Sequence, residues 1–503
     1  MPITFTAPTT AIAGAVHHDR AAYGNNQAAA EASKALTDAL SATAAYDKIL
    51  LRAAAGAGKT HALRHMVGQA LDHPHCSRVA VTAFANKQVI PLAGTLGREL
   101  GADRVCLFVA QDRVPDVPPA VRDNVSIASS TAGIPASCDV IVGTSHKLGA
   151  FGEMKRLIDN LGPADNGTLP FDVLFVDEAW QLPAHRYATV EKLAPISVGV
   201  GDVGQLPPLE PGQQNPWRGD PGYNPYRAWP TAYPAGPTTR IVDLPTVWRP
   251  TTAQLPLWRA FYTDWDHLHC VAGPGDRTLQ LPPLTGVAAS VWDAVASGDP
   301  TLLEVDGLPD PEAPDIDLPL LDVLEQLLDP LLEGGFQTVA RRYNSQGMPD
   351  GTTIVDSAEP HGDPLIVILA TRNQAVDDAT DLVERLTERY DLPEGVLVAS
   401  TVDSWQGQTN AITVAIHPLS GADQLDEFNS AFGRLAVTCT RATHGLLMIA
   451  RRGLDDLLDT TPARPGTPLG EPGPRSLPRQ THQRILSAFT RGQLTRRPGP
   501  TID

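Results

Sequence analysis

The feature that most restricts the fold is the Gly-rich turn Ala53 to Thr60 (AAAGAGKT), which follows the apolar run 48–53 (KILLRA) and opens a helical stretch from about residue 59. A turn of this kind between a strand and a helix is built to hold phosphate. Gly56 and Gly58 let backbone N–H groups curl inward, and the helix N-terminus adds its partial positive charge. Lys59 can reach the outer phosphates of a nucleotide, and the Thr60 hydroxyl can ligate Mg²⁺. Ala55, Gly56, Ala57, Gly58, Lys59, Thr60 and His61 are the candidate nucleotide-binding residues, with ATP and Mg²⁺ as the expected cofactors. Ala53 stands where the usual pattern has its first Gly.

A second element narrows the chemistry. Residues 172–182 (DVLFVDEAWQL) read as an apolar strand ending in two acids. Asp177 is the candidate metal ligand and Glu178 the candidate general base for an attacking water. Other buried-strand candidates in this half are 78–83, 104–110, 139–143 and 196–201, and residues 25–45 read as a helix. Strands alternating with helices predict a parallel sheet with crossover helices. After a Pro- and Gly-dense stretch at 207–237, a second series follows at 364–370, 396–401, 411–416 and 445–450, with helices near 374–389 and 428–440. The expected fold class is therefore α/β. Its expected layout is an N-terminal extension (1–20), a first nucleotide-binding domain (21–225), a second parallel-sheet domain (226–455) carrying an acidic, Pro-rich insertion at about 251–360, and a loosely ordered Pro- and Arg-rich tail (456–503).

A chain of 503 residues accommodates two to four domains. No stretch approaches the roughly 20 apolar residues of a membrane helix, and no secretory leader is visible at the start. Cys76, Cys106, Cys138, Cys270 and Cys439 are scattered without a CxxC pair, which speaks against a zinc module or a disulfide framework and for a reducing, cytoplasmic setting. The net charge of -18 is unlike that of a protein that coats nucleic acid by bulk attraction. It leaves room for a local basic and aromatic groove along one strand.

The motifs together resemble a superfamily 1 helicase, nearest to the 1B group of nonsense-decay RNA helicases and RecD-like DNA helicases. The resemblance covers roughly residues 25–452 apart from the insertion. It implies two RecA-like domains in tandem, closing on ATP and stepping 5′ to 3′ along DNA or RNA. Residues 23–27 (YGNNQ) resemble the Q motif, implying that Gln27 reads adenine. Residues 200–209 (VGDVGQLPPL) resemble motif III, with Gln205 sensing the γ-phosphate. Residues 244–250 (LPTVWRP) resemble motif IV, with Arg249 contacting phosphate. Residues 401–409 (TVDSWQGQT) resemble motif V, with Gly407 near the γ-phosphate. Residues 432–443 (FGRLAVTCTRAT) resemble motif VI, with Arg441 as the arginine finger and Arg434 beside it. Residues 79–89 and 141–148 resemble motifs Ia and Ic. They imply a strand track of Thr82, Phe84, Asn86, Thr144, His146 and Lys147, completed by Ser404 and Trp405 from the second domain. Motif V departs from the family pattern in having Thr409 in place of a Glu.

Two functional readings stay open at this point. One is a translocating helicase on a single strand. The other is a nucleotide-switched scaffold that closes on ATP and signals to a protein bound at the acidic insertion or the tail. A metabolic kinase would share the phosphate-binding turn and leave residues 200–209 and 432–443 without a purpose.

Overall fold

A computed structural model describes residues 3–8, 14–204, 226–263, 265, 268–313, 316–425, 429, 432–461 and 478–496. Its chain forms two parallel sheets, each flanked by helices. The first has eight strands, in the order Ser126–Ala128, Val105–Phe108, Val140–Thr144, Val79–Ala83, Val173–Val176, Ile196–Asp202, Lys48–Ala53 and Thr239–Leu244. All neighbouring pairs run parallel. Central runs such as VAVTA and VLFV are buried along their whole length, as strands covered on both faces must be. Helices His18–Leu40, Lys59–Leu71 and Asn86–Leu100 cover one face. Leu148, Leu157, Tyr187 and Trp229 close the other, with the Tyr187 and Trp229 rings stacked at 3.9 Å.

The second sheet has seven strands, in the order Phe5–Thr6, Thr490–Thr495, Pro300–Asp306, Ala442–Arg451, Asn410–Ile416, Ile366–Ala370 and Leu397–Thr401. All its pairs are parallel except the edge strand Phe5–Thr6, which runs antiparallel to Thr490–Thr495. Two RecA-like sheets in tandem are thus present, and each expected strand series falls in its own sheet.

The boundaries differ from the expected ones in three places. Strand Thr239–Leu244 pairs with Lys48–Ala53, so the first sheet continues past the 225/226 boundary. Segment 251–360 is not an inserted unit: Pro300–Asp306 is an inner strand of the second sheet, and helices Gly286–Ala296 and Leu318–Gly334 pack on it. Its acidity is partly answered from elsewhere, since Glu325 and Asp329 pair with Arg385 and Arg389 of helix Asn373–Tyr390. What does stand apart is a three-stranded antiparallel sheet of Arg277–Gln280, Gln337–Tyr343 and Pro349–Asp356. Within the tail, the described residues form helix Pro478–Leu486 and strand Thr490–Thr495. Its arginines act as internal ties: Arg491 pairs with buried Glu304 at 2.7 Å, and Arg484 donates to the Ala260 carbonyl at 2.9 Å. The first residues, read as an extension, supply the edge strand. There Gly492 leaves room for the Phe5 ring, which a Cβ would meet at 2.5 Å. No helix among the described residues is long and apolar enough to cross a membrane.

Candidate functional site

The carboxyl ends of the first sheet's inner strands converge on the phosphate-binding turn, where open parallel sheets place their ligands. Ala53 and Asp202 end adjacent strands in register, and Asp177 follows Val173–Val176, its N–H donating to the Thr82 carbonyl at 2.8 Å. Gly56 and Gly58 hold φ of 71° and 88°, the left-handed region that a tight phosphate cradle requires of its glycines. Helix Lys59–Leu71 starts directly after Gly58 with no side-chain cap, leaving its first N–H groups for an anion.

Lys59 Nζ lies 3.6 Å from Glu178 Oε1 and 3.6 Å from Asp202 Oδ2. Thr60 and His61 are exposed on the first turn of the helix. Burial, then the Arg64 charge, push the His61 imidazole below its ordinary range. Asp177 is buried, and burial together with the Glu178 charge pushes its carboxyl up to about 7, against the pull of Lys59. A buried carboxylate held against its preference is a site that a divalent cation would suit.

The turn is fixed by groups far along the chain. The Trp258 indole N–H donates to the Ala55 carbonyl at 3.1 Å, and the Ala55 N–H donates to the Tyr262 hydroxyl at 3.0 Å. That hydroxyl lies 2.8 and 2.9 Å from the two Asp202 oxygens. Burial pushes the Asp202 carboxyl up, while Lys59, the Gly204 N–H and Tyr262 hold it down. Asn25 Nδ2 donates to the Ala57 carbonyl at 2.9 Å and to the Thr246 carbonyl at 2.8 Å. The Trp248 N–H donates to the Gly56 carbonyl at 2.7 Å, and the Trp248 indole approaches Gly58. Asn25, Asp202, Trp248, Trp258 and Tyr262 are therefore site residues that sequence reasoning missed. Asp202 lay inside the quoted GDVGQ pattern and Trp248 inside LPTVWRP. Tyr262 and Trp258 lay in the supposed insertion, with no local signal.

Two arginines close the site where the lobes meet, Arg249 beside the turn and Arg441 from the side of the second sheet. Arg249 packs on Gly56, where an added Cβ would stand 2.5 Å from Arg249 Cβ, and its Nη1 donates to the Thr440 carbonyl at 2.9 Å. Arg441 is 1% exposed and donates to the carbonyls of Val437 at 3.0 Å and Gln408 at 3.3 Å. Burial and the Arg441 charge push Arg249 down to about 9. Burial also lowers Arg441, against the attraction of Asp202 and Glu178. Gly407, exposed at φ 87°, adjoins the Gln408 carbonyl that Arg441 grips. Gln205 lies outside the described residues.

Gln27 does not reach the cradle. It is exposed on helix His18–Leu40 and bonded to Tyr23, while Asn25, on the buried face of the same helix, makes the contact. The strand track is also thinner than expected. Thr82 is fully buried with its side chain in the core. Lys147 turns inward, donating to the Ser129 carbonyl at 2.8 Å with its ammonium 4.3 Å from the Phe108 ring centre. Thr144 is buried and caps helix Ser145–Leu148 by accepting from the Lys147 N–H. Phe84 and His146 meet edge to face at 5.4 Å, and Asn86 begins helix Asn86–Leu100. Lys87 Nζ donates to the Asp403 carbonyl of the second lobe at 3.0 Å, next to exposed Ser404. Trp405 is part-buried, its indole N–H on Asn410 at 3.0 Å. Arg434 pairs with Asp403 at 3.2 Å. Phe84, part-buried against the core, thus lies beside His146 on the first lobe, and Lys87 reaches Asp403 of the second lobe next to Ser404 and Arg434.

No protein-family model and no curated protein sequence matches the chain. Among solved structures it is similar to an arterivirus nonstructural protein 10 helicase in complex with DNA, at 15% identity and TM-score 0.39, covering 86% of this chain and 65% of that one. It is similar to the PRRSV helicase at 14% identity and TM-score 0.36, covering 92% and 67%. It is also similar to the DUF1998 helicase MrfA bound to DNA, at 10% identity and TM-score 0.39, covering 92% of this chain and 56% of that one.

Proposed function

We propose that this chain is an ATP-driven motor of the superfamily 1 type that moves along single-stranded nucleic acid, 5′ to 3′ as the 1B group does. The observation that carries the reading is the meeting of Lys59, Glu178 and Asp202 from one lobe with Arg249, beside the turn, and Arg441, from the other lobe, around an uncapped helix N-terminus. An anion held there is contacted from both lobes at once, so nucleotide state and lobe closure become one variable.

The residues divide the labour. The backbone from Ala55 to Thr60 and Lys59 hold the phosphates. Thr60 and Asp177 would hold Mg²⁺, which supplies charge neutralisation on the phosphate oxygens. Glu178 orients water and takes its proton. Arg249 and Arg441 stabilise charge that develops during transfer. Asn25 and Trp248 line the cradle next to the turn. The strand lies on the wall made by Phe84, Asn86, Lys87 and His146. A base stacked on Phe84 is worth about 1–3 kcal/mol.

The test is ATP turnover with and without oligothymidylate and, separately, oligouridylate. Stimulation by either, abolished in Lys59→Ala and in Arg441→Ala, supports the motor, and the stronger activator names the substrate class. Hydrolysis indifferent to both oligonucleotides would overturn it and favour the nucleotide-switched scaffold.

A further inference from the structure

A chain of side-chain amides runs from the candidate base to the strand-facing wall. Gln181 Nε2 donates to Glu178 Oε2 at 3.0 Å. Gln181 Oε1 accepts from Gln88 Nε2 at 2.9 Å. Gln88 Oε1 accepts from the Ala85 N–H at 3.0 Å. Ala85 sits between part-buried Phe84 and Asn86, just before Lys87, which reaches the second lobe. The relay thus joins the turn after strand Val173–Val176 to the turn after strand Val79–Ala83, two neighbours in the sheet.

Its direction is set by chemistry. A carboxylate only accepts, so Gln181 must present its NH₂ to Glu178 and its carbonyl oxygen to Gln88. Gln88 must then present its NH₂ to Gln181, which leaves its oxygen for the Ala85 N–H. Neither amide can turn over without breaking two bonds. Glu178 is held at both oxygens, by Lys59 on one side and Gln181 on the other. Its backbone adopts φ 48°, a conformation that non-glycine residues keep only where their surroundings impose it. Gln88 and Gln181 are both partly buried, in a position where water competes weakly for their bonds.

We propose that Gln88 and Gln181 are positioning residues that transmit occupancy of the strand wall at Phe84–Asn86 to the Glu178 carboxylate. The proposal rests on the motor reading and adds to it a physical route for stimulation by nucleic acid. A base on Phe84 or a phosphate on Asn86 displaces Ala85, Gln88 follows its bond to the Ala85 N–H, and Gln181 re-aims Glu178. A bonded relay couples the two turns through defined contacts, where a packed interface would couple them diffusely.

The experiment separates this role from a structural one by comparing Gln88→Ala with Gln88→Glu. Glutamate at the third helical position keeps the acceptor for the Ala85 N–H and suits the helix N-terminus, so the fold is retained or strengthened. It cannot donate to Gln181, whose NH₂ would be drawn away from Glu178. Turnover at saturating oligothymidylate or oligouridylate should fall about five- to tenfold in both variants, with the KM for ATP and the half-saturating oligonucleotide concentration within about twofold of wild type. Gln181→Ala should show the same split. A Gln88→Glu protein stimulated like wild type would overturn the relay while leaving the motor intact, because capping alone would then be the task of Gln88. Equal losses of stimulated and unstimulated turnover would overturn it too, as a general defect of the site. A wild-type protein that neither oligonucleotide stimulates would remove the motor reading, and the relay with it.

Discussion

Tyr262→Phe removes one oxygen atom and tests how the phosphate-binding turn is fixed. The Tyr262 hydroxyl accepts from the Ala55 N–H at 3.0 Å and lies 2.8 and 2.9 Å from the Asp202 oxygens. Ala55 is 1% exposed, and Asp202 is 3% exposed, so water does not replace the lost group. A hydrogen bond to a charged acceptor is worth about 1.5–3 kcal/mol, and a buried N–H left unpaired costs about 1–3 kcal/mol. The two losses share one site and do not add fully. The expected loss of unfolding free energy is therefore about 2–4 kcal/mol. Trp258 still holds the Ala55 carbonyl, so the turn persists but loosens. If about 1 kcal/mol of that loss is returned when nucleotide orders the turn, the KM for ATP rises roughly fivefold. Urea unfolding and steady-state ATP turnover measure the two numbers. Tyr23→Phe is the control, because Tyr23 is 62% exposed and should change stability by less than about 0.5 kcal/mol. A Tyr262→Phe protein that loses less than about 0.5 kcal/mol and keeps its KM would refute the claim that this hydroxyl ties the turn to Asp202.

Four further outcomes follow from the geometry. Gly56→Ala places a carbon 2.5 Å from Arg249 Cβ at a φ of 71°; turnover should fall at least about tenfold, and thermal stability should fall as well, since the turn is buried against Arg249. Burial and the charges of His482 and Arg491 depress His417 to about 3. A histidine lowered in the fold supports stability fully above its unfolded value near 6.5 and loses that support as pH falls from there toward the folded value, so this group alone should remove about 2 kcal/mol between pH 7 and pH 5. His417→Asn, which keeps an acceptor for the Leu419 N–H, should flatten that part of the stability–pH curve in urea titrations. Lys147→Ala should leave oligonucleotide affinity within about twofold while lowering stability by about 1 kcal/mol, because its ammonium serves the Ser129 carbonyl and the Phe108 ring. Lys87→Ala should weaken binding several-fold, with fluorescence anisotropy of a labelled oligonucleotide as the measurement for both variants.

Local chemistry made much of the site legible, and non-local chemistry hid the rest. Gly56, Gly58, Lys59, Asp177 and Glu178 belong to short patterns in which the residue type and the strand or helix end occur together, and the structure gathers them at the carboxyl ends of the first sheet's inner strands. Asn25 gives no local signal: it shares helix His18–Leu40 with Gln27, two residues on, and only the fold shows that Asn25 faces the turn while Gln27 faces outward. Resemblance to motifs Ia and Ic places Thr82 and Lys147 on a strand track, and no local pattern tells that Thr82 is buried or that Lys147 finds Ser129. Strand Pro300–Asp306 was lost in an acidic, Pro-rich stretch because its neighbours in the sheet, Ala442–Arg451 and Thr490–Thr495, lie far away in sequence. Strand Thr490–Thr495 in the tail has its partners equally far away in sequence. Its arginines find their carboxylates only in the folded chain, as Arg491 finds Glu304.

The charge arrangement explains why nucleotide should control the lobes. Lys59 has two carboxylates within 3.6 Å, whereas Arg249 and Arg441 donate to carbonyls and, to one hydroxyl, that of Thr440. Among the described residues neither guanidinium has a carboxylate within ion-pair distance. Neutral oxygens satisfy hydrogen bonds but do not cancel charge, and each arginine feels the burial of its own charge. The cost of holding two such cations together falls on the contact between lobes, because Arg249 lies against Gly56 and bonds to Thr440 of the other side. A polyphosphate placed at the helix N-terminus adds negative charge where that cost arises, so it stabilises the closed pair more than either lobe alone. In the proposed cycle, hydrolysis and release would return the cost, and the contact between Lys87 and Asp403 would loosen with it. Differential affinity of this kind is what a cycle needs to change its grip on a strand.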